Sequence, residues 1–518
     1  MQFILKLSIG ALLGILLLPY LVIFDSSPPK GSNLSSPYFS YTDAQLLVDR
    51  TYLKDSEESL YLDHQIFDYM IDEIKSAETF LILDFFLWNN WVGRFDRDIL
   101  KKSIANRLSD ALIAKRKARP DIPILMITDP INRLYNPFDS DYFKEFESLG
   151  IPVVFTDLKQ LPDPNPLYSK QVRFWSKFFP SEAKENRFRF IPNTLNPNGE
   201  KLSLKQFWEA FHLKSNHRKV LISGYKNQAS RLILGSFNPS DASALNSNIA
   251  ALVEGPVADY AARSEMAIAR WSTVDTSNLQ GSTFLLLDTL NRLDQLIASE
   301  KEFDAFKAKN SGVRFLGEKQ IKSTVLGLLK NAKENTEIDI AMFYLSDRKV
   351  IRAIKSALKK GAQIRLLLDQ NLNAFGFKKN GIPNRAVADE LMSLDASNAL
   401  SVRWASADSG GQFHPKAFRL YDDKNDILIV GSANFTRRNI NGFNLEACLL
   451  FNSVLSVSNK FDAYFDEVWT NSLGYSESLD YSELNNPNYG ETLQTTLKSL
   501  SQTKEGGAQV DDFFKNET

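Results

Sequence analysis

Two kinds of run alternate along the 518-residue chain. FLILDFFLW (80–88) and IPILMITD, ending at Asp129, are short and almost wholly apolar. IDIAMFY (338–344) and QIRLLLD, ending at Asp369, are of the same kind. Their length and lack of polar interruptions predict strands. Between them, over 66–74, 98–118, 321–329 and 349–358, apolar residues recur three and four positions apart, which predicts helices. Strands alternating with helices predict an α/β chain whose mixed, largely parallel sheets are covered on both faces.

The order of runs then repeats. HRKVLISGYKNQASRLILGSFN begins at His217, and HPKAFRLYDDKNDILIVGSAN begins at His414. Each reads as a short strand carrying His-x-Lys, a polar turn, and a second strand ending in Gly-Ser-x-Asn. A repeat on this scale predicts a duplicated domain, with halves at 45–300 and 301–473 packed about a pseudo-twofold axis. Residues 7–24 carry no charge and are long enough for a transmembrane helix, so 1–24 is expected to be an uncleaved anchor. Lys6 before it and Asp25 after it favour a single-pass orientation with the body on the non-cytoplasmic side. The Ser- and Pro-rich 25–44 reads as a tether, and 474–518 as a polar tail.

Charge narrows the function. Lysine and arginine number 61 against 62 aspartates and glutamates, so no global basic field draws in nucleic acid. Arg94, Lys101, Lys102 and the basic run 115–119 are local exceptions, and such a run is usually a solvated helix face. The single cysteine, Cys448, excludes an internal disulfide and a cysteine-based zinc site.

The candidate chemistry lies in the repeated motifs. Of the chain's four histidines, His217 and His414 stand at matching places, and His64 and His212 lack that context. On a strand, residues two apart share a face, so His217 stands with Lys219 and His414 with Lys416. Asn238 and Asn434 end the neighbouring strands, and Ser236 and Ser432 beside them are expected to contact substrate. Two lysines and two amides suit the charge on a phosphodiester in flight. One imidazole can attack phosphorus to form a phosphohistidine while the other serves as general acid and base. No metal or other cofactor is required.

These paired motifs resemble the phospholipase D superfamily, marked by His-x-Lys-x4-Asp and a following Gly-Ser/Gly-x-Asn. The resemblance covers nearly all of 45–470. MITDPIN (126–132) and GIPNR (381–385) are similar to bacterial, cardiolipin synthase-like members. The motif aspartate is missing: Gly224 holds its place in the first half and Tyr421 in the second, with Asp422 one residue later. The resemblance implies two tandem phospholipase D-like domains sharing one site. It also implies a supporting acidic residue, matched by Glu446 in the second half and replaced by Asn248 in the first, each reaching the other half's histidine. That makes His217 the nucleophile and His414 the acid and base, with Asn248 also near substrate. The expected activity is that of a phosphodiesterase or phosphatidyltransferase acting on membrane phospholipid. Its partner would be the membrane, with no obligate nucleic acid, and its place the bacterial inner membrane facing the periplasm. A nuclease of the same superfamily and a catalytically decayed scaffold are the alternatives.

Overall fold

The computed structural model describes residues 14, 17–23, 27–53, 60–92, 100, 102–135, 141–165, 168–178, 189–193, 199–209, 212–299, 301–309, 311–374, 377–393, 398–405 and 411–484. The first half forms one nine-stranded sheet. Its strands are β1 (Asp43–Leu53), β2 (Leu60–His64), β3 (Leu81–Phe85), β4 (Ile124–Thr128) and β5 (Val153–Phe155), then β6 (Lys219–Ser223), β7 (Arg231–Gly235), β8 (Asn248–Glu254) and β9 (Leu279–Gln280). Their spatial order is β9-β5-β4-β3-β6-β7-β8-β1-β2.

The second half has an eight-stranded sheet: β10 (Gly312–Gly317), β11 (Glu337–Met342), β12 (Gln363–Asp369), β13 (Leu400–Ala405), β14 (Lys416–Asp422), β15 (Asn425–Gly431), β16 (Ala447–Asn452) and β17 (Ser478–Asp480). Read from β17, its order is β17-β13-β12-β11-β14-β15-β16-β10. Apart from β2, which has no counterpart, this retraces the first sheet, with β6 and β14 as the His-x-Lys strands at corresponding places.

Alternation along each strand explains why the runs are apolar throughout. Ile82, Val220, Leu234 and Val253 face a core shared with Ala341, Leu367, Val430 and Leu449 of the other half. Their neighbours Leu83, Leu221, Ile233 and Leu252 face the helices Gln65–Ser76 and Ile104–Ala118. A strand buried on both faces needs no polar positions. The covering helices follow ordinary rules. Helix Arg348–Lys359 starts where the Asp347 side chain accepts from Lys349 N and Val350 N, and it buries Val350, Ile351, Ile354 and Ala357 in one stripe.

The sheets are mixed, but the expectation that they are largely parallel is corrected. Only β3–β4, β4–β5, β11–β12 and β12–β13 pair in parallel, and the other pairings within the two sheets are antiparallel. The cause is loop length. Ile104–Ala118 and Arg348–Lys359 provide crossovers, whereas the turns between β6 and β7 and between β14 and β15 are too short for one and close as hairpins.

Two peripheral segments also differ from their reading. Residues 27–42 pack as part of the body: Ser32, Ser36 and Phe39 are buried, Ser36 N donates to Phe315 O, and Phe39 pairs with Val313 beside β10. At the other end, β17 adds an edge strand antiparallel to β13, so ordered structure continues past 474. Most of the expected anchor, 1–24, and the tail beyond 484 lie outside the described residues. Among the described residues, no helix is long and apolar enough to cross a membrane.

Candidate active site

The two halves meet edge to edge at the motif histidines. His217 N donates to Leu445 O at 2.9 Å, and His414 N donates to Ser247 O at 2.9 Å. Returning bonds run from Leu445 N to Ser215 O and from Ser247 N to Gln412 O. Each half therefore presents its histidine beside the first residues of the other half's next strand. That places residue 446 against His217 and residue 248 against His414.

Carboxylates at the ends of β4 and β12 fix these approaches. Asp129 accepts from Asn216 N at 2.6 Å and Ile131 N at 2.7 Å; Asp369 accepts from Phe413 N at 2.8 Å and Asn371 N at 2.7 Å. Asn132 and Asn384 do equivalent work one layer out. Their amides donate to the carbonyls of Phe86 and Phe343, and their oxygens receive Trp88 N and Leu345 N. The rings so placed pack on the imidazoles, Phe86 at 5.1 Å from His217 and Phe343 at 5.0 Å from His414. None of these six residues stood out as a site residue in the sequence, although 126–132 and 381–385 were singled out as segments. A single aspartate ending an apolar strand is too common to be a signal. Its recurrence at the same place in both repeats is one.

The expected side chains converge. His217 Nδ1 lies 3.0 and 3.1 Å from the two Glu446 oxygens, and His414 Nδ1 lies 3.1 Å from Asn248 Oδ1. The Asn248 amide nitrogen donates to Ser243 O and Asn246 O, so its oxygen faces His414 and that Nδ1 must carry the proton. Nε2 of His414 is then free to take one. Lys219 Nζ donates to His217 O at 2.7 Å, and Lys416 Nζ to His414 O at 2.6 Å. Asn238 and Asn434 are nearly buried; Asn238 Oδ1 accepts from Leu87 N at 3.3 Å, while Asn434 Oδ1 has no hydrogen-bond partner among the described residues. His212 is buried near Lys214, which is ion-paired to Asp163, and His64 contacts Ala244 O.

The serines lie deeper in the site. Both are fully buried, and Ser236 Oγ donates to Asn248 Oδ1 while Ser432 Oγ donates to Glu446. Each also accepts the backbone N–H that follows its partner, from Ile249 and Ala447. They stand behind the orienting residues Glu446 and Asn248, and Asn248 is itself wholly buried behind His414.

Burial and crowding of like charge set the electrostatics. Burial, then the ammonium groups of Lys219 and Lys416, hold His217 well below the ordinary histidine range. His414 is lowered for the same reasons. Arg438 adds to the positive field at His217. Burial brings Lys219 down to about 7 and lowers Lys416 strongly, while it pushes the Glu446 carboxyl up to about 8. With no anion present, the pocket thus resists further positive charge and keeps its imidazoles neutral.

The missing motif aspartates have local replacements. In the first half the buried Glu73 gathers Ser223, Tyr225 and Arg231, tying β6, its turn and β7 to helix Gln65–Ser76. In the second, Asp422 receives Lys424 N, Asn425 N and the Thr336 hydroxyl. Position 224 has no room for a side chain: a Cβ there would lie 2.3 Å from the Phe80 ring and from Thr79 Oγ1. Restoring the motif with Gly224→Asp should therefore lower stability by about 1–3 kcal/mol without raising turnover, read as a lower urea midpoint.

Residues 325–469 match the family model described as cardiolipin synthase, PLD-like domain. No curated protein matches the chain. Among solved structures, phosphatidylserine synthase of Haemophilus influenzae aligns with a TM-score of 0.53 at 12% identity, covering 92% of this chain and 97% of that one. Nuc of Salmonella typhimurium, a phospholipase D family member, covers 33% of this chain and 98% of its own at 18% identity and a TM-score of 0.25. The whole-chain fold likeness rests on the first of these. Residues 325–469 are thus a PLD-like domain, and the first half repeats its strand order and its paired motif.

Proposed function

We propose that the chain is a phosphodiesterase or phosphatidyltransferase acting on membrane phospholipid through a phosphohistidine. The observation that carries this reading is the asymmetric pair: Glu446 behind His217, Asn248 behind His414. The bound phosphate anion draws a proton onto Nε2 of His414; Nε2 of His217 then attacks phosphorus, and the alkoxide departs with that proton. Water or an alcohol then gives its proton to His414 and displaces His217. Lys219, Lys416, Asn238 and Asn434 hold the non-bridging oxygens, and their charge and amide donors stabilise the transition state. An apolar cluster of Phe86, Leu87 and Tyr135, packed with Trp91 and Ile131, adjoins His217 and suits a lipid ester.

The nuclease reading has less support. In the basic run, Lys115 donates to the carbonyls of Lys75 and Ala77, Arg116 to those of Pro120 and Ile122, and Arg119 pairs with Asp121. These groups tie the helix end to its neighbours. The deciding experiment incubates the full chain in detergent with phosphatidylglycerol, with and without added alcohol, beside single-stranded DNA. Phosphatidic acid or a transferred lipid supports the proposal; nucleotides alone would replace it with the nuclease.

Anion binding should be coupled to protons. Lys219 is charged below about pH 7 and neutral above it. A bound phosphate favours the charged form, so binding should take up protons. Inorganic phosphate should bind more weakly above pH 7, by up to about tenfold per unit for each proton taken up. Calorimetry in two buffers of different ionisation enthalpy measures the uptake; a value of zero would remove this role from the lysines.

A further inference from the structure

We propose that Arg218 and Glu318 form a positioning clamp that holds Glu446 against His217 across the junction of the halves, closed by residues 31–34. This rests on the function proposed above.

Arg218 stands between His217 and Lys219, so its side chain leaves by the opposite face. It is fully buried. Nη1 donates to Glu265 at 2.8 Å and to Ser264 Oγ at 3.0 Å; Nη2 donates to Glu318 Oε1 at 2.8 Å and to Ser32 O at 3.2 Å. Glu318 in turn grips the backbone of Glu446 twice. Its Oε1 accepts from Glu446 N at 3.3 Å, and its own N donates to Glu446 O at 3.2 Å. A closed ring results: His217 to Arg218 along the chain, then to Glu318, to Glu446, and back to His217 through the carboxylate. Glu318 adopts φ 47°, a left-handed conformation that a buried non-glycine residue keeps only when its surroundings enforce it.

The clamp exists on one side only. Pro415 replaces Arg218 in the second half, and Asn248 is held by its own loop carbonyls. The Glu446 carboxylate is held by Ser432 Oγ and Asn439 Nδ2, as the Asn248 amide is held by two acceptors; what the clamp adds is a grip on the Glu446 backbone. The side that uses a carboxylate is the side with the clamp. Residues 31–34 complete it: beside the Ser32 bond, Ser264 Oγ donates to Gly31 O, Gly317 N to Leu34 O at 2.7 Å, and Lys319 N to Asn33 Oδ1. Gly31 has φ 91°, and a Cβ there would come within 2.6 Å of Ala267 Cβ. The stretch that follows the apolar N-terminal run is thus seated in the support of one catalytic histidine.

The test uses the full chain with Glu318→Gln, Glu318→Ala, Arg218→Lys and Gly31→Val. It has two readouts: the rate of phosphoenzyme formation, and the NMR titration of the imidazoles, of which there are four to resolve. Glu318→Ala should slow formation by about 10²-fold with KM unchanged, because it frees the Glu446 backbone to shift. Glu318→Gln, which keeps an acceptor for Arg218 and for Glu446 N, should recover most of that loss. Arg218→Lys and Gly31→Val should fall between. The His217 titration should move in Glu318→Ala and the His414 titration should not. A folded Glu318→Ala chain with unchanged formation and an unmoved His217 overturns the clamp. So does an equal shift of both histidines, which marks a general loosening. If the parent chain forms no adduct with any phosphodiester, the proposed function fails, and the NMR comparison still decides the clamp.

Discussion

Exchange of His217 for asparagine should abolish the covalent adduct with any phosphodiester and lower turnover by about 10⁴-fold or more, as removal of a nucleophile does elsewhere. Exchange of His414 should do something different in kind. Without a proton donor the first step slows by about 10²–10⁴-fold for an ordinary alkoxide. With a phenolate leaving group, which departs unprotonated, that step recovers. Breakdown of the adduct still lacks its base, so the phosphoenzyme accumulates on His217. The two histidines are nearly equivalent in backbone, ring contact and lysine neighbour, so the difference must come from what stands behind Nδ1. Acid-quench trapping with labelled substrate, followed by peptide mapping, reads the outcome. Phosphate on His414 in the His217→Asn chain would reverse the assignment, and no adduct in either chain would favour a scaffold.

The parts of this site that could be read from sequence are those whose chemistry demands particular residue types. His-x-Lys and Gly-Ser-x-Asn repeated at nearly equal spacing have few uses besides phosphate, and the partners Glu446 and Asn248 follow from the family resemblance. The supports could not be read in this way, because many residues serve such a role. Asp129 and Asp369 act only by accepting backbone N–H groups. Glu73 performs for the first hairpin what Asp422 does for the second, from a helix more than a hundred residues away in sequence. Arg218 reads as surface charge until the opposite face of its strand proves to be an interface. The same limit applies to the fold. Unbroken apolar runs reveal strands buried on both faces, but not strand direction, which depends on whether a helix or a short turn joins them. Residues 27–42 have the composition of a linker. They are ordered because Ser36 N donates to Phe315 O, Ser32 O accepts from Arg218 Nη2, and Phe39 is wholly buried.

The sharpest expectation concerns the asymmetry itself. Glu446→Gln keeps the size of the side chain and removes the carboxyl group that can take up the charge of the imidazolium. The glutamine can turn its NH₂ toward Nδ1 and hold the wrong tautomer, or turn its oxygen and give the imidazolium no counter-charge. Either way formation of the adduct should slow by about 10²–10⁴-fold, comparable to loss of the carboxylate behind a catalytic imidazole in other enzymes. Breakdown, which relies on His414, should change far less. The reciprocal change, Asn248→Asp, should not create a second nucleophile. Asn248 Nδ2 now donates to Ser243 O and Asn246 O at 3.1 and 3.2 Å, and a carboxylate would turn an oxygen toward those two carbonyls in a fully buried place. The repulsion raises the aspartate's pKa until it is neutral or expels it from the pocket. Asn248→Asp should therefore cost stability and leave His217 as the labelled residue, even combined with Glu446→Gln. The loop 243–246 would then be what keeps the two near-identical halves in different roles, since it accepts an amide and refuses a carboxylate. Transfer of the label to His414 in the double variant would show instead that charge behind the ring decides alone.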